Sequence, residues 1–146
     1  MPIINPNPLA IAAAALAIFM ISYVWYTPLF GRQWAQEMGL PPDHSPGGAA
    51  LARGLVLTAV GALLMSMVLA NSMAVWHPKA WGLTVPGPGA AEQVLSASGF
   101  SWLGFVLPVL LHRLAWEKFS LRLLAINGGY YLVSLLAAAL VLRLMA

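Results

Sequence analysis

The stretch WYTPLFGRQW, residues 25–34, decides how this chain folds. It follows an almost unbroken apolar run and contains four aromatic residues, one proline and the first charged residue of the chain. Aromatic rings with a polar edge collect where a membrane meets water, and a proline ends or bends a helix. We therefore interpret the stretch as the place where a helix leaves a lipid bilayer. The rings of the predicted aromatic belt are those of Tyr23, Trp25, Tyr26, Phe30 and Trp34.

The composition of the whole chain points to lipid as its solvent. Of its 146 residues, 61% are hydrophobic and 8% are charged, whereas a soluble domain is about 45–50% apolar and about 25% charged. A soluble protein of this size would have to hide more apolar side chain than its wet surface allows. The chain has no cysteine, which excludes thiol chemistry and disulfides. Its net charge of +3 comes from scattered basic residues, so nothing indicates a nucleic-acid partner.

Four apolar segments, of about residues 9–30, 49–73, 94–116 and 121–142, are long enough to cross a membrane. Crossing about 30 Å of hydrocarbon takes about 20 residues at about 1.5 Å per residue. Continuous apolarity, without period-two alternation, favours helices over a membrane barrel. We predict a single all-α domain over residues 1–146, an integral membrane four-helix bundle. The linker of residues 117–120 is so short that the third and fourth helices must be antiparallel neighbours.

Basic residues set the predicted orientation of the bundle in the membrane. Most lie in or beside the first and third linkers: Arg32, Arg53, Arg113, Lys118 and Arg122. The opposite side holds only Lys79 and Arg143. We predict that the first and third linkers face the cytoplasm and that both termini lie outside. The first segment has no preceding basic side chain and no small-residue cleavage site, so we expect a retained span and not a signal peptide.

Tryptophan and proline mark the ends of the predicted spans. Trp34, Ala35 and Met38 fall on one side of a short turn, which predicts a brief helix lying on the membrane surface. Trp76 and Trp81 mark the opposite face of the bilayer. Pro28 and Pro108 each lie near the cytoplasmic end of an odd-numbered helix, followed by a basic residue and a tryptophan. This is a weak repetition between the two halves of the chain.

Two blocks of the sequence resemble a known family. The first is Trp25-Tyr26-x-Pro28-x-Phe30-Gly31-x-x-Trp34, and the second is Trp116-Glu117-Lys118 followed by Leu123-Leu124-Ala125-Ile126-Asn127-Gly128-Gly129-Tyr130. They resemble blocks of the domain of unknown function numbered seventeen-sixty-one, over roughly the first and last thirds of the chain. Gly128 departs from the alanine usual at that position. The resemblance implies a four-helix, multi-pass protein of the bacterial inner membrane, and it implies no reaction.

A polar cluster is predicted near the cytoplasmic face. Regular helical spacing places Ala97, Ser101, Gly104, Pro108 and His112 on one small, polar face of the kind that packs against other helices. His112 lies about 6 Å and Asn127 about 9 Å from the cytoplasmic ends of adjacent helices. Arg53 enters its span from the same side, and the first span ends there. The predicted cluster is Tyr26, Arg53, His112, Asn127 and Tyr130.

Two interpretations of this cluster stay open. An ionisable or strongly polar group inside a membrane is a functional hypothesis by default. Against this, a histidine near a helix end often reaches the interface or bonds a neighbour, and an asparagine in a membrane helix often joins helices. For Arg53 the alternative is contact of its side chain with lipid headgroups.

The remaining titratable groups give no catalytic arrangement. All four acidic residues, Glu37, Asp43, Glu92 and Glu117, lie in linkers or at span ends. Paired-carboxylate catalysis and proton-coupled transport are therefore not favoured. His44 and His77 lie in linkers on opposite sides, so they cannot share a metal with His112. We expect no catalytic residues, no metal ligands and no cofactor.

The expected function is interaction within the membrane. The second span has two small-residue faces, one of Ala59, Ala62, Ser66 and Ala70 and one of Gly54, Thr58 and Gly61. Such faces favour close helix contacts, within the bundle or with a second copy. We expect a non-enzymatic interaction or accessory subunit, either a homo-oligomer or part of a larger membrane complex, with lipid as its other partner. The alternative is a small oligomeric transporter or channel. The sequence names no ligand or partner.

Overall fold

Helices form the whole fold of the computed structural model, which describes residues 1–41 and 43–146. Four helical stretches are long and apolar enough to cross a membrane: Pro8–Leu29, Gly48–Val75, Ala90–Trp116 and Leu121–Leu144. The all-α class and the four predicted spans are confirmed. The predicted first linker includes Pro42, which lies outside the described residues.

Six α-helices and three short segments of other helical type are present in the described residues, and all but α2 and the 3₁₀ turn lie within these four stretches. The α-helices are α1 (Pro8–Val24), α2 (Gly31–Glu37), α3 (Gly48–Val75), α4 (Ala90–Ser101), α5 (Leu107–Trp116) and α6 (Leu121–Leu144). A π-helical segment, Trp25–Leu29, continues α1, and a second one, Trp102–Val106, joins α4 to α5. A 3₁₀ turn, Pro78–Trp81, follows α3. The short helix predicted after the first span is therefore present as α2.

Prolines explain the two π-helical segments. Proline has no N–H to give to the carbonyl four residues earlier, and its ring clashes with that carbonyl. At Pro28 the helix widens by one residue, so that the Phe30 N–H bonds to the Trp25 carbonyl at 2.8 Å. Before Pro108 the Leu107 N–H bonds to the Trp102 carbonyl in the same way. A π turn of this kind keeps a helix continuous across a defect.

Helix α6 is the centre of the bundle. It packs against α1 on one side and α4 on another, and it also touches α2, α3 and α5. The faces that meet are made of small residues, such as Ala14 on α1 and Ala138 and Ala139 on α6, none of which is exposed. Small residues let helix axes approach closely, which increases van der Waals contact between the helices. This contact matters in a membrane because the hydrophobic effect does not drive helices together in lipid.

Helix α3 packs on α1 through one of its two predicted faces. Ala62, Ser66 and Ala70 of that face are buried, while Ala59, one turn earlier, is exposed. Ser66 of α3, Ser98 of α4 and Ser134 of α6 are fully buried, and their hydroxyl oxygens have no hydrogen-bond partner in the described residues.

Contacts at the two ends of the bundle fix which segments lie together. At one end the Ile3 N–H bonds to the Ala80 carbonyl at 2.8 Å, and the Asn7 side chain donates to the Met145 carbonyl at 3.3 Å. We call this the terminal end, because it holds both chain termini and the second linker. Both termini therefore lie at the same end of the bundle. Which side faces the cytoplasm stays a prediction.

The opposite end, which we call the α2 end, joins the first linker to the third. The Ser120 hydroxyl donates to Glu37 at 2.6 Å, and a guanidinium nitrogen of Arg122 lies 3.5 Å from the same carboxylate. Ser120 is also the N-cap of α6, since its oxygen accepts the Leu123 N–H at 3.1 Å. The Glu37 carboxylate thus lies at the helix N-terminus, where a negative charge is favoured. This contact docks α2 on α6.

Candidate functional site

Three of the five residues predicted to cluster come together near the α2 end. The Tyr26 hydroxyl donates to the carboxamide oxygen of Asn127 at 2.7 Å. The Tyr26 ring lies edge-on to that of Tyr130, with centroids 5.1 Å apart, and to that of Trp34 at 6.1 Å. Edge-to-face aromatic pairs contribute about 0.5–1.5 kcal/mol beyond their buried area. Tyr26 therefore joins the π-helical end of the first span to both α2 and α6.

Two indole rings bracket Asn127 on α6. The Trp25 indole N–H donates to the Ile126 carbonyl at 2.9 Å, and the Trp102 indole N–H donates to the Gly128 carbonyl at 2.8 Å. Each tryptophan is the first residue of a π-helical segment. The first and third spans thus hold the same turn of α6 from two sides. The weak sequence repetition at Pro28 and Pro108 corresponds to these two π-helical segments, each of which begins with a tryptophan that donates to a carbonyl of α6.

The glycine pair on α6 makes room for the indoles. A Cβ on Gly129 would lie 3.0 Å from Cζ2 of Trp25, which is tighter than nearly all real contacts. A Cβ on Gly128 would lie 3.5 Å from Cζ2 of Trp102 and 3.4 Å from a methyl group of Leu110, which is ordinary contact. An alanine therefore fits at position 128 and does not fit at position 129 without movement of Trp25.

Sequence reasoning missed these two indole contacts. A signal was present, because each glycine inside a helix costs about 1 kcal/mol relative to alanine. Two consecutive glycines in the middle of a span therefore indicate a close approach by a neighbour. The partner could not be named, because the acceptor of each indole N–H is a backbone carbonyl, which every residue has.

Arg53 and His112 do not join the other three. Both side chains are exposed, and neither enters a hydrogen bond or ion pair among the described residues. The predicted packed face from Ala97 to His112 does not continue past Ser101 within the chain. Ala97 and Ser101 are half-buried, whereas Gly104, Pro108 and His112 are exposed. The π-helical segment is the reason. Its extra residue rotates everything after it by about 100° relative to a regular helix, so that Val106 and Leu110 face the bundle instead.

The three joined residues form a helix-joining contact of uncharged groups. Two phenols and a carboxamide, with the two indoles beside them, can exchange hydrogen bonds and stack. Among residues 1–41 and 43–146, no three histidine, aspartate or glutamate side chains lie close enough together to hold a metal ion.

Tyr26→Phe is expected to lower the free energy of unfolding by about 0.6–2 kcal/mol, because the Asn127 oxygen loses its donor inside the membrane. Titration of the detergent-solubilised protein with sodium dodecyl sulfate, followed by circular dichroism, measures this. Tyr23→Phe is the matched control, since that tyrosine is 60% exposed and makes no side-chain hydrogen bond in the described structure. In a double-mutant cycle with Asn127→Ala, additive effects would contradict the contact.

The first half of α3 is a second candidate site, because nothing else in the described part of the chain covers it. From Gly48 to Val60 every residue is exposed except Thr58, which is half-buried. Burial begins only at Gly61 and Ala62. A Cβ on Gly54 or on Gly61 would meet nothing within 4 Å. About 20 Å of helix therefore stands free of its own bundle.

The small-residue face on this half carries no unpaired polar group. Ala50, Gly54 and Thr58 follow one another at intervals of four residues, and Gly61 continues the stripe. The Thr58 hydroxyl donates to the Gly54 carbonyl at 2.8 Å. Of the two faces that the sequence predicted on this span, the bundle buries most of the first. The second, predicted as Gly54, Thr58 and Gly61, is exposed at Gly54 and half-buried at the other two positions, and Ala50 extends it.

Comparison with known proteins adds a family match. Residues 9–143 match the family described as Protein of unknown function (DUF1761). The match includes both sequence blocks quoted above, together with the segment between them. Neither the comparison with curated proteins nor that with solved structures gives a match.

Proposed function

The chain belongs to the family of proteins of unknown function DUF1761, and from that premise we propose that it is a non-enzymatic interaction protein of the bacterial inner membrane. It self-associates through the free half of α3, either as a homo-oligomer alone or as a paired subunit of a larger complex. The observation that carries the proposal is the small-residue face of Ala50, Gly54, Thr58 and Gly61, of which Ala50 and Gly54 are exposed and Thr58 and Gly61 are half-buried.

Small residues favour protein over lipid as the neighbour of this face. In a membrane, two helices associate when their axes come close enough for extensive van der Waals contact, and glycine allows the closest approach. Large apolar side chains, such as Val56 and Leu57 at 60% exposure, are matched equally well by lipid tails. Contact with lipid would not require the two glycines of this face, or a threonine whose hydroxyl is already hydrogen-bonded to its own helix. Glycine in a helix costs about 1 kcal/mol each, which a close helix contact offsets.

A second copy of the chain is the proposed occupant. A face with small residues at intervals of four can pack against its own copy about a two-fold axis, which is the commonest symmetry of oligomers. Arg53 lies beside this face and is exposed. Its long side chain can reach the headgroup level, so that two copies need not bring their charges together. The first and third linkers are cytoplasmic in this arrangement, as their basic residues favour.

The chain has no cysteine, so cysteine pairs can test the contact in native membranes. Oxidation of Gly54→Cys or Thr58→Cys is expected to give disulfide-linked dimers. Val56→Cys is the matched control, because it lies at the same depth on the opposite side of α3 and is 60% exposed. Equal linkage at Val56, or no linkage at Gly54, contradicts self-association through this face. A product heavier than two chains identifies a foreign partner there and contradicts the homo-oligomer.

A bulky residue on the same face gives the second readout. Gly54→Leu, in the Thr58→Cys background, is expected to reduce linkage at position 58 about tenfold, equivalent to about 1.4 kcal/mol. Circular dichroism checks that the helices remain. The alternative function, a small oligomeric transporter or channel, predicts solute flux into vesicles that Gly54→Leu abolishes. Such flux would contradict a purely accessory role.

A further inference from the structure

A cavity at the terminal end combines a basic rim with an apolar floor. It has a volume of about 580 Å³ and lies between the N-terminal segment, the end of α3, the start of α4 and the last turn of α6. Volumes of about 300–1,000 Å³ are typical of small-molecule sites. The floor is formed by buried apolar side chains of three helices, namely Ala10, Ala70, Met73 and Leu142.

The charged side chains that line this cavity are both basic. Lys79 and Arg143 lie on its rim. The ion pairs in the described residues are Arg113–Glu117 and Arg122–Glu37, so neither rim cation is paired. Unpaired charges of one sign beside a low-dielectric wall attract an anion.

Two polar side chains, Gln93 and His77, also line the cavity and are held in place by hydrogen bonds or packing. Gln93 lines the cavity and is only 9% exposed. One N–H of its carboxamide bonds the Met73 carbonyl at 3.2 Å, which leaves the other for a ligand. The His77 ring accepts the Lys79 N–H at 3.3 Å and packs on Gly87, where a Cβ would overlap it. The ring therefore holds the backbone of Lys79 in place beside the rim.

The depth of the cavity matches the headgroup region of a membrane. Trp76 and Trp81, exposed by 82% and 57%, surround the same end of α3, as interfacial tryptophans do. Ala70 lies five residues before the end of α3 at Val75, or roughly 8 Å along the helix axis. In a bilayer whose surface lies at these tryptophans, the cavity would run from the headgroup level down to the level at which acyl chains begin.

We propose that this cavity binds the phosphate group of an anionic amphiphile, with Lys79 and Arg143 on the phosphate and the apolar part on Ala70, Met73 and Leu142. A membrane phospholipid is the source that the depth favours, and a free phosphate is the other source of the same chemistry. The site is separate from the free half of α3, which lies toward the α2 end, so it does not rest on the proposed self-association.

Native mass spectrometry with added phosphatidylglycerol or phosphatidylcholine tests the site. The wild-type protein is expected to retain phosphatidylglycerol preferentially. Lys79→Gln with Arg143→Gln should weaken its apparent affinity roughly thirtyfold, from two lost headgroup contacts. Arg32→Gln with Lys118→Gln is the matched control, since it removes the same charges at the α2 end from two exposed, unpaired side chains. Equal losses in the two double variants would overturn the proposal.

Two further measurements separate a lipid from free phosphate. Ala74→Leu fills part of the cavity without changing charge, so it should weaken retention of phosphatidylglycerol while circular dichroism stays unchanged. Excess inorganic phosphate should not displace the lipid. Displacement by inorganic phosphate, with no effect of Ala74→Leu, would show that the rim binds a free anion and would overturn the lipid assignment.

Discussion

Gly129→Leu is expected to lower the free energy of unfolding by about 3 kcal/mol. Even a single Cβ at this position would come within 3.0 Å of the Trp25 ring, and filling an occupied space costs about 1–3 kcal/mol. Trp25 cannot move aside freely, because its N–H bonds the Ile126 carbonyl and its ring packs on Phe30 with centroids 4.7 Å apart. Loss of that hydrogen bond adds about 1 kcal/mol. Titration with sodium dodecyl sulfate measures the change.

Alanine at each of the two neighbouring glycines gives the matched comparison. Gly129→Ala is expected to destabilise the protein, because Trp25 is held on both of its sides. Gly128→Ala is expected to be neutral or to stabilise by up to about 1 kcal/mol, because its Cβ would make ordinary contacts and alanine is the better helix former. This also explains how the alanine of the family's block fits where this chain has Gly128. Equal effects of the two substitutions would contradict the indole packing described here.

The spans could be predicted from the sequence because membrane thickness dictates their length. Predicted and observed boundaries differ by a few residues, and the largest difference is at the third span, which begins at Ala90 and not near Val94. Glu92 and Gln93 made that start look like a linker. Gln93 is nevertheless helical and buried, since its side chain bonds the Met73 carbonyl. A polar residue with a satisfied partner is compatible with a packed helix end.

The cluster at the α2 end could be predicted only in part. Matching depths on neighbouring helices brought Tyr26, Asn127 and Tyr130 together correctly, because depth follows directly from residue count. Depth says nothing about rotation around a helix axis. Arg53 and His112 have the right depth and point elsewhere. For Arg53 the reason is that no described residue packs on its half of α3, and for His112 it is the π turn before it.

The π turn in the third span shows why the rotation of a helix about its own axis was hard to predict from the sequence. Pro108 lies in the third span, and the regular spacing of three and four residues was extended through it. One extra residue in Trp102–Val106 moved the packed face onto Leu110. A sequence identifies the proline but not whether the helix kinks or widens, because that depends on what the neighbouring helix can accept. Here it accepts the Trp102 indole at the Gly128 carbonyl.

Gly31→Ala is expected to lower the free energy of unfolding by about 2–3 kcal/mol and to release α2 from the bundle. Gly31 is the first residue of α2, and its Cβ would lie 2.6 Å from the carbonyl oxygen of Tyr26. A backbone atom cannot rotate away as a side chain can, so the π-helical segment or α2 must shift. A shift of α2 separates Glu37 from Ser120 and Arg122. The same detergent titration measures the loss of stability.

A double-mutant cycle shows whether α2 is what moves. Gly48→Ala is the matched control, since Gly48 also begins a helix and its Cβ would meet nothing within 4 Å, so we expect a neutral or slightly stabilising effect. Glu37→Ala should destabilise the wild-type protein, because the Ser120 hydroxyl and Arg122 lose their partner. In the Gly31→Ala background the same substitution should have little further effect, because the contact is already broken. Additive losses would show that α2 stays docked in the Gly31→Ala variant, would place the damage in the π-helical segment alone, and would contradict the release of α2.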